Sequence, residues 1–477
     1  MSVQLFNTLT RRVEPFTTLD PASRAVGLYV CGPTVHDFAH IGNFRTFVLA
    51  DLVRRFLTFR GHAVTHVMNV TDVEDKIIRR VREAGTTLRE FTGRYAEAFF
   101  ADHRELGCLP PHHAPRATEF ISEIVALITR LLERGLAYRA ADGSVYFSIE
   151  KYRGCGGHYG RLLNLNLDQL RPGERVAHDE YAKEAVADFA LWKARVPEDG
   201  DVAWPSPWGE GRPGWHIECS AMSMKLLGPS FDLHLGGEDL IFPHHEDEIA
   251  QSEGAGLQAP GRPFVKHWLH GAHLLVEGRK MSKSLGNFFT VRDLLAKGFT
   301  GREIRCLLLT AHYREPFNFT LDGLAGARTA LARLDECAAK LADLVAAAPP
   351  PQSLPPAPSP ALLNPFTAAL DDDLNVSAAW AAVFEWVREQ NRLLALGRHT
   401  PATGAAALAA WRQVAEVFGL APAPEAEVPA EVLALVGART AAKQAKDFAR
   451  ADALRGELKA LGWMVEDTPK GPRVKRD

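Results

Sequence analysis

The first clear pattern along the chain is a short apolar run. Residues 25–32, Ala-Val-Gly-Leu-Tyr-Val-Cys-Gly, read as a strand closing on glycine. Between Asn43 and Arg60, positions Phe47, Val48, Asp51, Leu52, Phe56 and Phe59 recur at helical spacing, and Gly61 supplies the stop. Residues 63–70 then alternate as a strand. Strand, helix and strand in close succession form a βαβ unit, whose crossover predicts a parallel sheet. The texture then changes. Residues 117–134 have amphipathic-helix spacing, residues 138–147 carry a hairpin pattern around Asp142-Gly143, and 150–213 are rich in Gly, Pro and Trp with few clear periods. About 108–205 therefore reads as an insertion into a nucleotide-binding domain. The sheet pattern resumes at Phe231-Asp-Leu-His-Leu, with a helix expected at about 243–253 and a strand from Trp268 to Val276. Downstream, helical patterns at Leu324–Val345 and Ala378–Leu396 predict a bundle. Proline-dense 349–360 reads as a surface linker, and a second Pro/Ala/Glu stretch, 421–429, precedes a helix over about 430–460 and a basic tail.

These elements predict an α/β parallel-sheet domain over 1–310, a helical bundle over 311–420 and a small module over 430–477. A length of 477 residues agrees, since it exceeds one ordinary core. Hydrophobic residues at 46% and charged residues at 24% are ordinary for a globular chain and exclude collagen-like or wholly disordered classes. A formal charge of −3 neither requires nor excludes a nucleic-acid partner, because local charge placement decides that. No run approaches the roughly 18–20 apolar residues of a membrane span. The N-terminal residues lack a basic segment followed by an apolar one, so a cytoplasmic location is expected. Six cysteines in so long a chain make no dense disulfide framework, which leaves metal ligation or nucleophilic chemistry for any cysteine with a special duty.

Three short motifs point to a nucleotide. His40-Ile41-Gly42-Asn43 opens the first helix, where unpaired N–H groups and the positive dipole end attract anions and glycine admits a close ligand. Lys280-Met281-Ser282-Lys283-Ser284 follows an apolar strand, and two lysines flanking small residues suit a loop that neutralises charge on a leaving pyrophosphate. Gly236-Gly237-Glu238-Asp239 ends a strand, where an acidic group can accept from ribose hydroxyls; Gly237 and Asp239 are the candidates. A metal set is also conceivable. Cys31 ends the first strand, Cys219 lies in Gly214-Trp-His-Ile-Glu-Cys219, and His244 and Glu248 share a helix face at i and i+4. His216, His234 and His245 compete for the same role.

The ordered motifs Cys31–Asn43, Thr71-Asp72, Gly214–Met222, Phe242–Glu248 and Lys280–Ser284 together resemble cysteinyl-tRNA synthetases, as do His312-Tyr-Arg314, Asp371–Asn375 and Ala445–Asp452. The resemblance implies a class I synthetase with a Rossmann-type catalytic domain, a helical anticodon-binding bundle and a monomeric state. It implies one Zn²⁺ held by Cys31, Cys219, His244 and Glu248, and ATP with Mg²⁺ as substrate beside L-cysteine and tRNA(Cys). His40, Lys280 and Lys283 become the catalytic groups, His40–Asn43 and Lys280–Ser284 the ATP motifs, and Gly32, Thr71 and Trp215 the amino-acid pocket. Asn43 stands where this class often has a second histidine; it donates hydrogen bonds but carries no charge. Zinc has a reason to be there: shape alone separates serine from cysteine by only about 1–3 kcal/mol, whereas zinc favours thiolate over alcohol. Two rivals share parts of the pattern. Cysteine ligases that load an amino-sugar in mycothiol synthesis resemble the core but lack a full anticodon-binding end, and a non-catalytic tRNA-binding relative would lose the lysine loop or the ligands.

Overall fold

Four parallel strands carry the site. They are β1 (Ala25–Val30), β2 (Ala63–Met68), β3 (Phe231–Gly237) and β4 (Val265–Gly271), hydrogen-bonded in the order β4-β3-β1-β2. The structure is a computed structural model and describes residues 2–163, 188–282, 285–348, 357–421, 428–468 and 471–476. Buried on both faces, the strands are nearly continuous apolar runs. Leu28, Val30, Leu233, Leu235 and Leu269 point to one side, where helix α1 (Ile41–Phe59) covers them with Phe44, Val48 and Leu52. Tyr29, Val67, Phe231, Val265 and Trp268 point to the other, against Met222 of α2 (Trp215–Leu227) and Ile249 of α3 (Glu246–Ala255). The chain leaves β1 for β2 on one side and returns to place β3 on the other. Strand order therefore reverses between β1 and β3, which opens a crevice at their carboxyl ends.

Asp51, within the predicted helix pattern, is a buried anion rather than a core apolar group. Its carboxylate accepts from Arg305 Nη2 at 2.6 Å, Arg55 Nε at 2.7 Å and the Leu109 N–H at 2.8 Å. Burial pushes its pKa up, but the two guanidinium groups outweigh that and hold it below the usual value. Arg305 also donates to the carbonyls of Phe418 and Leu106, tying the end of a later helix to the sheet domain.

Several expected elements are divided. Residues 117–119 form a separate 3₁₀ turn, and the helix proper is Ile121–Glu133. It packs on an antiparallel sheet of Ala137–Arg139, Val145–Phe147, Phe189–Ala194 and Gly211–Pro213, with a core of its own; residues 164–187 of the expected insertion lie outside the described residues. The helix predicted at 243–253 begins at Glu246, and His244 sits in the turn before it. The strand predicted from Trp268 to Val276 breaks after Gly271, because Arg45 Nη1 takes the carbonyls of Ala272 and His273 at 2.8 and 2.7 Å. Leu274–Val276 then joins a second sheet with Arg279–Lys280 and Phe317–Phe319.

The helical region comprises Leu321–Ala346, Pro360–Asp371, Val376–Ala395 and Pro401–Phe418, packed around Leu334, Phe366, Trp380, Trp411 and Phe418. Of the predicted linker, 349–356 lies outside the described residues, and Pro360 is the first helical residue, where its missing N–H is harmless. The chain divides into two compact units, Met1–Leu420 and Ala421–Asp477. Within the second, the single helix expected over 430–460 is two, Ala430–Gln444 and Phe448–Ala460. Lys446 takes a positive φ of 60° between them, and Asp447 caps the second helix by accepting from the Arg450 N–H. The hairpin Trp463–Thr468 with Gly471–Arg476 completes that unit, whose core includes Val432, Leu458 and Trp463. Residues 422–427 of the second predicted linker lie outside the described residues.

Candidate active site and metal centre

The carboxyl ends of β1, β2 and β3 converge on a cleft of about 830 Å³. At its floor, Cys31 leaves β1 while Gly32 passes so close to β2 that a Cβ there would lie 1.7 Å from the Asn69 carbonyl oxygen. Asn69 Oδ1 accepts from the Gly32 N–H at 2.8 Å and its Nδ2 donates to Thr71 Oγ1 at 3.2 Å, fixing both pocket residues. Trp215 and Cys219 enter on α2. Gly214 precedes them because a Cβ there would lie 1.9 Å from the Ala190 oxygen. Gly32, Thr71 and Trp215 all line the cleft, and the Trp215 ring lies 4.4 Å from that of His244.

Cys31, Cys219, His244 and Glu248 meet here, all buried, with one donor atom from each lying within 4.8 Å of the others. Cys31 Sγ lies 3.9 Å from Cys219 Sγ, 3.5 Å from His244 Nε2 and 3.7 Å from Glu248 Oε1, and the last two atoms are 3.1 Å apart. With zinc–sulfur bonds of about 2.3 Å and zinc–nitrogen or –oxygen bonds of about 2.0–2.1 Å, a tetrahedron has edges of about 3.8, 3.6 and 3.4 Å for S–S, S–N and N–O pairs. The observed separations track those edges. A second grouping, Cys31, His234, His245 and Glu248, is equally compact. Donor chemistry favours the first for zinc, since it holds both thiols, and the competing histidines have duties around it. His234 Nε2 lies 3.0 Å from Glu248 Oε2, His216 Nδ1 lies 2.8 Å from His244 Nδ1, and His245 Nδ1 is 2.7 Å from His270 Nε2.

These groups perturb one another strongly. Burial pushes Glu248 up, but His234 and His244 draw it down to about 2. Burial lowers His244, yet Cys219 and Glu248 raise it to about 10. The Cys31 thiol, by its hydrogen bond, brings Cys219 down to about 6 against burial, and is itself pushed well up by burial and that neighbour. A site that gathers anionic sulfur and oxygen in a dry interior fits a divalent cation of borderline softness.

The end of the cleft at the start of α1 is built differently. His40 caps α1: its Nδ1 accepts from the Asn43 N–H at 3.2 Å while the His40 N–H donates to Asn43 Oδ1 at 3.1 Å. A neutral ring with Nδ1 as acceptor carries its proton on Nε2, and burial lowers the ring's pKa. His40, Gly42 and Asn43 line the cleft, as do Gly237, Asp239, Lys280 and Met281. Ile41 does not join them. Its side chain is fully buried in the main core and its N–H donates to the Phe289 carbonyl, so it anchors the motif from behind the cleft. Glu238 turns away to accept from the His273 N–H, leaving Asp239 as the acid facing the cleft. The lysine loop is held by Asn287, whose Oδ1 accepts from the Ser282 N–H at 2.9 Å and whose Nδ2 donates to the Lys280 and Val276 carbonyls. Lys283 and Ser284 lie outside the described residues. Asn69 and Asn287 carry supporting roles that no local pattern announced, and His234 and His216, named from the sequence as competing ligands, lie against Glu248 and His244.

A parallel sheet with its cleft at the strand-order reversal, the His40–Asn43 motif opening the first helix and a lysine-bearing loop beyond the last parallel strand is the architecture of class I tRNA synthetases. The fold matches "Mycobacterium tuberculosis methionyl-tRNA synthetase in complex with methionyl-adenylate" with a TM-score of 0.58 at 15% identity, covering 83% of this chain and 89% of that one. It also matches an Agrobacterium radiobacter leucyl-tRNA synthetase ternary complex with a TM-score of 0.59 at 13% identity, covering 85% of each chain. Sequence narrows the class. The profile described as "tRNA synthetases class I (C) catalytic domain" matches residues 18–329, a DALR domain profile matches 365–422, and "Cysteinyl-tRNA ligase anticodon binding domain" matches 425–474. A cysteine–tRNA ligase of Chlamydia pneumoniae is 47% identical over 98% of this chain and 97% of its own length, and one of Symbiobacterium thermophilum is 45% identical over the whole of both. The chain belongs to the cysteine–tRNA ligase family.

Proposed function

We propose that this chain activates L-cysteine with ATP and transfers it to the 3′ end of tRNA(Cys). The observation that carries the reading is the buried Cys31–Cys219–His244–Glu248 tetrad opening on the same cleft as His40 and Lys280. In the first step the cysteine carboxylate attacks the α-phosphorus of ATP, forming cysteinyl-adenylate and releasing pyrophosphate. That step needs positioning and charge stabilisation rather than a protein nucleophile. His40 offers its Nε2–H, the start of α1 its dipole, and Lys280 a cation for the departing phosphates; Lys283 is assigned the same duty, with Mg²⁺ accompanying the nucleotide. Gly237 and Asp239 are placed against the ribose. In the second step a hydroxyl of the terminal adenosine attacks the adenylate carbonyl and AMP leaves.

Cys31, Cys219, His244 and Glu248 would hold zinc, which supplies a Lewis acid that binds thiolate and not alcohol. Trp215, Thr71 and Gly32 close the pocket around the rest of the amino acid, so that selection is made at binding. The bundle of residues 311–420, expected from the resemblance to bind the anticodon, and the module of 430–477 are both assigned to the tRNA; the profile at 425–474 supports giving the anticodon-binding duty to the module instead of the bundle. That match also weighs against a ligase that loads an amino-sugar, and Lys280 with the complete tetrad weighs against a non-catalytic relative. No described helix is long and apolar enough to cross a membrane, and all six cysteines are free; the reading includes a cytoplasmic enzyme acting as a monomer.

The test is ATP–pyrophosphate exchange with cysteine and with serine, followed by charging of total tRNA with labelled cysteine. Exchange with cysteine alone and label on one tRNA isoacceptor set are expected. Equal exchange with both amino acids overturns the thiol selection, and exchange without charging points to another acceptor.

A further inference from the structure

The wall of the cleft between its metal floor and its nucleotide end is the loop 32–40, and the first reaction step uses none of the middle of it. Thr34–Phe38 is a built feature. The Val35 N–H donates to the Thr71 carbonyl at 3.1 Å, Arg80 Nη1 donates to the His36 carbonyl at 2.7 Å, and Arg80 pairs with Asp37 at 3.2 Å. The loop presents Phe38 to the cleft beside Tyr95 of the helix Leu88–Glu105, their rings edge to face with centroids 5.2 Å apart. Both rings are half-buried, and cations lie over them: Arg94 is 5.6 Å from the Tyr95 centroid and Arg292 is 5.1 Å from that of Phe38. Lys76 and Arg79 are exposed on the helix that carries Arg80.

Aromatic faces interleaved with cations at an open cleft form a platform for single-stranded nucleic acid, because every base has a face to stack and every linkage a charge to neutralise. The second step also fixes where such a strand must enter. Its hydroxyl has to reach a carbonyl lying between the amino-acid floor and the α-phosphate, and this wall spans that interval.

We propose that Phe38 and Tyr95, with Arg80 and Arg94, receive the unpaired 3′ end of the tRNA, its bases stacking on the rings as the terminal adenosine passes into the cleft. The inference rests on the reading of the chain as a tRNA-charging enzyme. It is tested by binding a tRNA(Cys) transcript, and the same transcript lacking its last three nucleotides, to wild type, Tyr95→Ala, Tyr95→Phe and Phe38→Leu. Stacking loss should weaken full-length tRNA about 5- to 150-fold in Tyr95→Ala and leave the truncated transcript within about twofold, with Tyr95→Phe close to wild type. ATP–pyrophosphate exchange, which needs no tRNA, should stay within about twofold in each variant and reports that the cleft is folded. Equal weakening for both transcripts, or unchanged binding of the full-length one, overturns the proposal; so does loss of exchange in step with binding, which marks a structural role. Phe38→Leu takes the place of Tyr95→Ala, with the same outcomes expected, if the latter does not fold. Failure of the wild-type chain to exchange with cysteine counts against the enzymatic reading, and the comparison of transcripts still reads the wall.

Discussion

The two ends of the cleft are built in opposite ways. At the floor, Cys31, Cys219, His244 and Glu248 are all buried, and two further residues back them: His234 on Glu248 and His216 on His244. At the other end Lys280 is exposed on a two-residue strand, and among the described residues Asn287 bonds its loop through the Ser282 N–H and the Lys280 carbonyl. A site that chooses between a thiol and an alcohol has to exist before the substrate arrives, so its ligands are locked by packing and outer hydrogen bonds. A site that meets charge appearing on a leaving group gains from arriving with it, and the exposure of Lys280 suits that duty. On the proposed function, the cleft buries the groups assigned to selection and exposes Lys280, assigned to charge handling.

The largest effect should come from breaking the buried end. Cys219→Ala removes one donor of the tetrad, and metal analysis should find bound zinc reduced to a small fraction. With it, kcat/KM for cysteine in exchange should fall on the order of 10³-fold or more, since the remaining buried groups are left unpaired. Retained zinc with an unchanged KM would reduce the tetrad to a structural cluster. Breaking the exposed end should act on rate instead of affinity. Lys280→Ala is expected to lower kcat about 10²–10³-fold with the KM for cysteine nearly constant, as measured by exchange kinetics. If KM rises and kcat holds, the lysine binds the ground state. A milder perturbation sharpens the account of the floor. His234→Asn should weaken zinc about 10- to 100-fold, recoverable by added metal, whereas His244→Asn should not be recoverable. The reverse order would place the ion among Cys31, His234, His245 and Glu248.

The same contrast governs how much could be read from the sequence. The β1–α1–β2 unit and His40–Asn43 were legible because their causes are local: an apolar run, a 3.6-residue period and a cap three residues across. Pro401–Phe418 carried a readable start, Thr400-Pro401, yet its alanine-rich, widely buried surface has little period to detect. The tetrad was legible as residue types but not as a set, since Cys31 and Cys219 are brought together only by the reversal of strand order; the family resemblance, not spacing, singled them out. The break after Gly271 was not legible at all. It is made by Arg45, more than two hundred residues earlier, reaching the carbonyls of Ala272 and His273. Ile41 departs from expectation for a related reason: a motif at a helix start alternates between groups that face ligand and groups that anchor it, and only the packing tells which is which.

Smaller effects test how Asn287 holds the lysine loop. Asn287→Ala removes the side-chain hydrogen bonds that shape the lysine loop, each worth about 0.5–1.5 kcal/mol, so kcat for exchange should drop about 5- to 10-fold with zinc content untouched. Loss of zinc in that variant would mean the two ends are not separate.

The least perturbing probe is pH. Burial holds the His40 pKa below the ordinary value of about 6.5, with Asp239 opposing only in part, and the cap requires Nδ1 as an acceptor. A histidine whose folded pKa lies below its unfolded one contributes stability that is present above the unfolded pKa and is lost as pH falls through the folded one. Protonation would also place a hydrogen on Nδ1 against the Asn43 N–H and undo the cap. His40 should therefore contribute no inflection to exchange between pH 8 and about 6.5, and its ring resonance in NMR should titrate only below that value. A ring titrating at or above the ordinary value would mean that its cationic form is the one favoured in the cleft. The cap at Asn43 would then be the feature that yields when phosphate arrives.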